Sequence, residues 1–233
     1  MSHTLFWPFR TMILAIPPAL STICGPVPAN SPSVVPAPQE DERARHEAER
    51  SLAELHCNAS GTLLIGDSIF ALWHSAAEDL ERPISNFGVS GDRTENVLDR
   101  INRARMAPDA FRCVVLLIGT NNLHRDDACA IFGGIAAIVE QLHQRLPEAV
   151  VHVVSILPRG QRLAENRHRI ETVNRALIEG QAALRITYID AFTPFVQGCA
   201  GQEDCSLFVD GLHPSPAGYD VLGRSIRAAL GAP

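Results

Sequence analysis

The sequence has no surplus of basic charge: 20 Lys and Arg side chains stand against 26 Asp and Glu, a net charge of −6 at neutral pH. A chain that neutralises phosphates needs the opposite balance, so a nucleic-acid partner is not expected. No run approaches the roughly 20 consecutive apolar residues that a bilayer-spanning helix requires. Neither a Cys-x-x-Cys pair nor a closely spaced His pair is present, so no metal site is expected. There is no internal repeat, which excludes solenoids and propellers. What remains is a chain of 233 residues, 46% apolar, too apolar for a disordered chain and long enough for one domain with extensions.

The first 60 residues do not read as part of that domain. Arg10 precedes the apolar run Thr11–Cys24, with a small-residue cleavage signal at Val27-Pro28-Ala29. This pattern is that of an export signal over residues 1–29, with lipid attachment at Cys24 as the alternative and an unstructured cytosolic tail as the bland one. The proline-rich stretch 25–38 has almost no large side chains and predicts an extended linker. Residues 39–56 alternate Glu and Arg with Ala and Leu and predict a charged helix lying against the domain. The division expected is therefore 1–29 signal, 30–59 linker and helix, and 60–233 a single folded domain. An exported location makes the thiols Cys199 and Cys205, which flank a short polar loop, candidates for a disulfide. Cys113, inside CVVLLIG, reads as a buried inert thiol, and the pairing of Cys57, Cys113 and Cys129 is left open.

From residue 62 onward, short apolar segments alternate with helical patterns. Strands are expected over 62–66, 84–87, 113–119, 150–157 and 186–190, and helices over 69–80, 94–103, 127–146, 164–180 and 216–230. Near-continuous apolar strands between helices imply an α/β fold, a parallel sheet covered on both faces. Ligands in such folds sit beyond the carboxyl ends of the strands. Four motifs lie there. Gly66-Asp67-Ser68 follows the first strand, and a serine at that turn projects near a helix N-terminus. Asn86-Phe87-Gly88-Val89-Ser90-Gly91-Asp92 follows the second, its glycines letting the backbone present an N–H group. Gly119-Thr120-Asn121-Asn122 follows the third, with an amide to aim at an oxyanion. Asp210-Gly211-Leu212-His213 precedes the last helix, and a carboxylate three residues from an imidazole can hold its tautomer. Each alone has a plain reading as a cap or turn; the ordered set does not.

That set resembles the SGNH (GDSL) hydrolase superfamily, whose blocks centre on Ser, Gly, Asn and His. Here they fall on Ser68, Gly91, Asn121 and His213. The segments NFGVSGD, IGTNNL and Leu157-Pro158-Arg159-Gly160 are similar to the platelet-activating-factor acetylhydrolase branch, except that Ser90 stands where that branch usually has glycine. The resemblance implies a three-layer flavodoxin-like fold with a five-stranded parallel sheet. It implies Ser68 as nucleophile, His213 as base, Asp210 as its orienting partner, and Ser68, Gly91 and Asn121 around the oxyanion, with no cofactor. Ile69 and Leu212, beside nucleophile and base, and Arg159 after the fourth strand are candidate pocket residues. Asp67 is expected to bond loop amides, and Asp92 with Arg93 to brace the glycine loop. The expected reaction is hydrolysis of a short acyl, chiefly acetyl, ester of a small molecule, carbohydrate or lipid. An acyltransferase acting on a carbohydrate hydroxyl, a lysophospholipase or thioesterase, and an inactive binding module are the alternatives. No self-association interface is specified.

Overall fold

The structure, a computed structural model, describes residues 22–58, 61–200 and 202–231. The apolar run before residue 22, which carries most of the expected signal, lies outside them. Five parallel strands make one sheet: β1 (Thr62–Gly66), β2 (Ile84–Gly88), β3 (Cys113–Leu117), β4 (Val150–Val154) and β5 (Ile186–Ile189), in the order β2-β1-β3-β4-β5. Among the described residues eight α-helices accompany them: α1 (Glu42–Asn58), α2 (Ser68–Ala71), α3 (Ala76–Leu80), α4 (Thr94–Arg103), α5 (Ala128–Arg145), α6 (Arg167–Leu184), α7 (Phe192–Gly198) and α8 (Pro216–Leu230). This is the three-layer flavodoxin-like α/β fold that the resemblance implied.

The central strands β1 and β3 are almost wholly apolar because both their faces are covered, whereas the edge strand β2 carries the half-buried Ser85 and the exposed Asn86. Side chains alternate across a strand, so Leu63 and Ile65 join Val114, Leu116, Val151 and Val153 in a core under α4, α5 and α6. Leu64 points the other way, into a second core with Val115, Leu117 and Val154 under α2, α3, α7 and α8. The helix expected over 69–80 is broken in two. The chain turns at Leu72–Ser75, which buries Trp73 against Tyr219 of α8, ring centroids 5.4 Å apart, and lets its indole N–H reach Asp79 at 2.6 Å. Helix α7, only seven residues with a proline inside, had no clear periodicity to reveal it.

The segment expected to be a linker is extended but not free. Residues 22–38 lie as a strap across α4 and α5, with a short 3-10 turn at Pro32–Val34. Cys24 is disulfide-bonded to Cys129 of α5. Gly133 and Gly134 make the groove: a Cβ on Gly133 would stand 2.6 Å from Val27, and one on Gly134 2.6 Å from the Ser33 carbonyl. Proline suits such a strap because it fixes extended backbone and brings no N–H that needs a partner. The leader expected to end at Ala29 would include Cys24 and with it the bond to Cys129. Helix α1 does not merely lie against the domain: Ala44 and Ala48 are buried on Val89, and Leu52 and Leu55 enter the first core. Cys199 and Cys205 are disulfide-bonded as expected, and Cys113 is a free thiol whose pKa burial raises.

Candidate active site

The four motifs meet at the carboxyl edge of the sheet. Ser68 opens α2 directly after β1, capped by Asp67, whose Oδ1 accepts the Ile69 N–H at 2.9 Å. Gly88 permits this turn: a Cβ there would stand 2.5 Å from the Ala71 nitrogen and 3.0 Å from the Asp67 carbonyl. Asn86 braces it from β2, its amide donating to the Phe70 carbonyl at 2.7 Å. The Tyr219 hydroxyl of α8 donates to the Ile69 carbonyl at 2.9 Å and so ties the nucleophile turn to the helix that follows His213.

Ser68 Oγ lies 2.9 Å from His213 Nε2, and His213 Nδ1 lies 2.7 Å from Asp210 Oδ2. The other Asp210 oxygen accepts the backbone N–H groups of Leu212, at 3.0 Å, and His213, at 2.8 Å. Burial alone would push the Asp210 carboxyl up, but the bonds from His213 and Leu212 outweigh it and hold the pKa at about 2. The carboxylate is therefore ionised across the ordinary pH range. It can accept only the Nδ1–H tautomer, which leaves Nε2 free to accept the serine proton.

Gly91 is exposed at φ +76°, a conformation that glycine adopts without strain. Asn121 sits in a 3-10 turn after β3, its Nδ2 donating to the Asp92 carbonyl at 2.9 Å. An amide nitrogen carries two N–H donors, so the bond to Asp92 fixes the side chain and leaves the second for a ligand. Beneath this loop runs a buried network. Asp92 pairs with Arg100 of α4 at 2.7 Å, both fully buried, and Arg100 also donates to the carbonyls of Phe87 and Gly66. Burial pushes the Asp92 carboxyl up to about 6 against the pull of Arg100, so at neutral pH it is ionised. Arg93, next to Asp92, faces Glu95 at 4.0 Å while its backbone opens α4. Asn122 is the hub on the other side, accepting the Thr94 N–H and donating to Asp126, Glu95 and the Thr94 hydroxyl.

The remaining candidates lie less centrally. Ile69 is 1% exposed, its side chain in the second apolar core. Leu212 is half-buried beside His213. Arg159 is buried, with one guanidinium nitrogen 3.3 Å from the Thr120 carbonyl and hydroxyl and another 3.0 Å from Glu165. Its neighbour Gly160 donates to the Gly211 carbonyl at 2.7 Å, so the segment after β4 joins the Asn121 turn to the Asp210–His213 loop. Among the described residues no group of three His, Cys, Asp or Glu side chains could hold a metal.

Residues 64–221 match the model of the GDSL-like lipase/acylhydrolase family. The chain belongs to that family. It is thus an acylhydrolase, an enzyme acting on acyl esters. This acylhydrolase is 34% identical over 210 residues to the platelet-activating factor acetylhydrolase IB subunit alpha1 of Bos taurus, covering 87% of the chain and 89% of the relative. It is 30% identical over 208 residues to the human alpha2 subunit, covering 87% and 90%. Among solved structures, a platelet activating factor protein from Streptococcus pneumonia superimposes with a TM-score of 0.70 at 25% identity, over 82% of this chain and 93% of that one. An acetylxylan esterase from Geobacillus stearothermophilus gives 0.63 at 16% identity, over 74% and 94%, a likeness of fold alone. No helix among the described residues is long and apolar enough to cross a membrane.

Proposed function

We propose that the acylhydrolase works through an acyl-serine on Ser68 and removes short acyl groups, acetyl above all. The observation that carries this is the unbroken chain Ser68 Oγ–His213 Nε2–His213 Nδ1–Asp210 Oδ2, with links of 2.9 and 2.7 Å. Ser68 Oγ attacks the ester carbonyl as His213 takes its proton, and His213 then delivers that proton to the departing alkoxide. Water, deprotonated by His213, attacks the acyl-serine and releases the acid and the free hydroxyl. Asp210 keeps its negative charge throughout and steadies the imidazolium. The oxygen that gains charge is received by the Ser68 and Gly91 N–H groups and the second N–H of Asn121. Acetyl preference is supported by the names of the acetylhydrolase relatives and by Leu212 beside the base. Two disulfides support an oxidising compartment outside the cytoplasm, reached by a leader that ends before Cys24.

Ser68→Ala tests the assignment. Deleting the nucleophile of another serine hydrolase costs about 10⁶ in turnover, so the folded variant is expected to lose hydrolysis of p-nitrophenyl acetate altogether. Wild-type turnover in that variant refutes the mechanism. Adding acceptor alcohols to the wild-type reaction measures how much acyl group goes to water.

A further inference from the structure

Helix α1 reaches the Gly91 loop through one polar side chain. Glu47 accepts the Ser90 N–H on Oε2 at 3.1 Å and the Ser90 hydroxyl on Oε1 at 3.3 Å. On the same face of α1, Ala44 and Ala48 bury Val89 completely. The two residues before Gly91 are thus held from outside the sheet, one by apolar contact and one by a carboxylate. Gln39 holds the residue after it, donating to Asp92 Oδ1 at 3.1 Å. Gly91 itself is exposed and has no side chain of its own to fix it. The direction of its N–H follows from how its neighbours are pinned.

We propose that Glu47 is a positioning residue for the reaction: through Ser90 it aims the Gly91 N–H at the carbonyl oxygen as that oxygen gains charge. The proposal rests on the acyl-serine mechanism above. It also gives Ser90 a role. A hydroxyl beside the glycine supplies a second point for the carboxylate to grip, which the glycine usual in the acetylhydrolase branch lacks. Glu47 touches neither the ester nor the reacting atoms, so its effect must appear in transition-state binding and not in ground-state binding.

The experiment is steady-state hydrolysis of p-nitrophenyl acetate by full-length wild type, Glu47→Ala, Glu47→Gln and Ser68→Ala. Losing an oxyanion donor costs about 10²–10³ in turnover, so misdirecting one of three is expected to lower kcat about tenfold in Glu47→Ala, with KM within about twofold. Inhibition by a boronic acid, whose serine adduct mimics the tetrahedral oxyanion, should weaken by the same factor as kcat. Glu47→Gln keeps one acceptor oxygen and should fall between wild type and Glu47→Ala; it also serves if the alanine variant folds poorly. Both variants with wild-type kcat and boronate affinity, while Ser68→Ala is inactive, overturn this proposal alone. A change confined to KM overturns it as well, making Glu47 a binding residue. Hydrolysis that survives Ser68→Ala overturns the mechanism and this proposal with it.

Discussion

Ser68 and His213 come from opposite ends of the domain, 145 positions apart, and meet through one side-chain contact of 2.9 Å. The Asp210 side chain is 53% exposed and that of His213 28%. Across the cleft, Gly91 and Asn121 rest on groups that see no water: Asp92, Arg100, Glu95, Asn122 and Ser33 are all buried. Ser33 even draws the N-terminal strap into that network, its hydroxyl donating to Asp126 and its carbonyl accepting from Thr94. The difference follows the work each half does. A proton must enter and leave the imidazole, which calls for access to solvent. Donors that meet a developing charge act best when already fixed in a dry setting, since no reorganisation is then needed.

The largest effect expected from breaking the buried half is on rate. Asn121→Ala should lower kcat by roughly 10²–10³, because it removes a donor and the tie to the Asp92 carbonyl together. A change in KM alone would assign Asn121 to substrate binding, and the two halves would no longer differ as described.

Next comes the seat of the strap. Gly134→Ala places a methyl 2.4 Å from the Thr94 hydroxyl and 2.6 Å from the Ser33 carbonyl. Overpacking of this kind costs about 1–3 kcal/mol, to be read as a lower Tm. An unchanged melt would mean that the strap yields freely and does not brace the loop.

Asp67 sharpens the comparison from beneath the nucleophile. It is fully buried, and its Oδ2 has no partner among the described residues. Burial raises its pKa to about 7, with the nearby charge of Asp92 adding to the rise and the Ile69 N–H offsetting part of it. That lies above the value of about 4 for an unfolded chain, so the native state holds an extra proton between the two. Stability is lost as pH rises through this window. Asp67→Asn, which cannot ionise but still accepts the Ile69 N–H, should gain on wild type by on the order of a few kcal/mol between pH 4 and 7. Parallel Tm profiles for the two proteins would remove Asp67 as a source of pH dependence.

Smallest is the effect at Leu212. Each methylene that finds apolar room is worth about 0.8 kcal/mol. Leu212→Ala should therefore raise kcat/KM for p-nitrophenyl butyrate relative to acetate, and Ile69→Ala, which opens the core, should not. The same ratio in Leu212→Ala and wild type would mean that another residue closes the acyl pocket.

The motifs of the site were legible in the sequence, and the buried network beneath Gly91 and Asn121 was not. Gly-Asp-Ser and Asp-x-x-His stand next to strands and helices whose apolar pattern is plain, so motif and element placed one another. The inner strands β1, β3 and β4 were legible for the same reason: burial on both faces leaves few polar residues within them. Arg100, Glu95 and Asn122 gave no such signal. In sequence they read as the solvated side of α4 or as turn residues, and only the packed fold shows that they satisfy one another. The strap was misjudged because proline and small residues cannot form a core of their own; Gly133-Gly134, more than a hundred positions away, supplies the groove. Two glycines inside a helix cost roughly 0.5–1 kcal/mol each relative to alanine, and that conflict with helix propensity was the one clue available.

The Cys24–Cys129 bond also has a bearing on time. It joins thiols 105 positions apart, with Cys57 and Cys113 between them. A chain is made from its N-terminus, so Cys24 meets both of those thiols before Cys129 exists. Oxidation in order of appearance would link Cys24 to Cys57 and leave the groove of α5 empty. The native link must wait for α5, or be reached by exchange from an earlier pairing, a process that takes about seconds to hours. Ser33 and Gln39 follow Cys24 along the same strap, and with them the outer supports of the oxyanion loop. The strap therefore cannot be fastened before α5 has been made, and the outer supports of the catalytic loop wait with it.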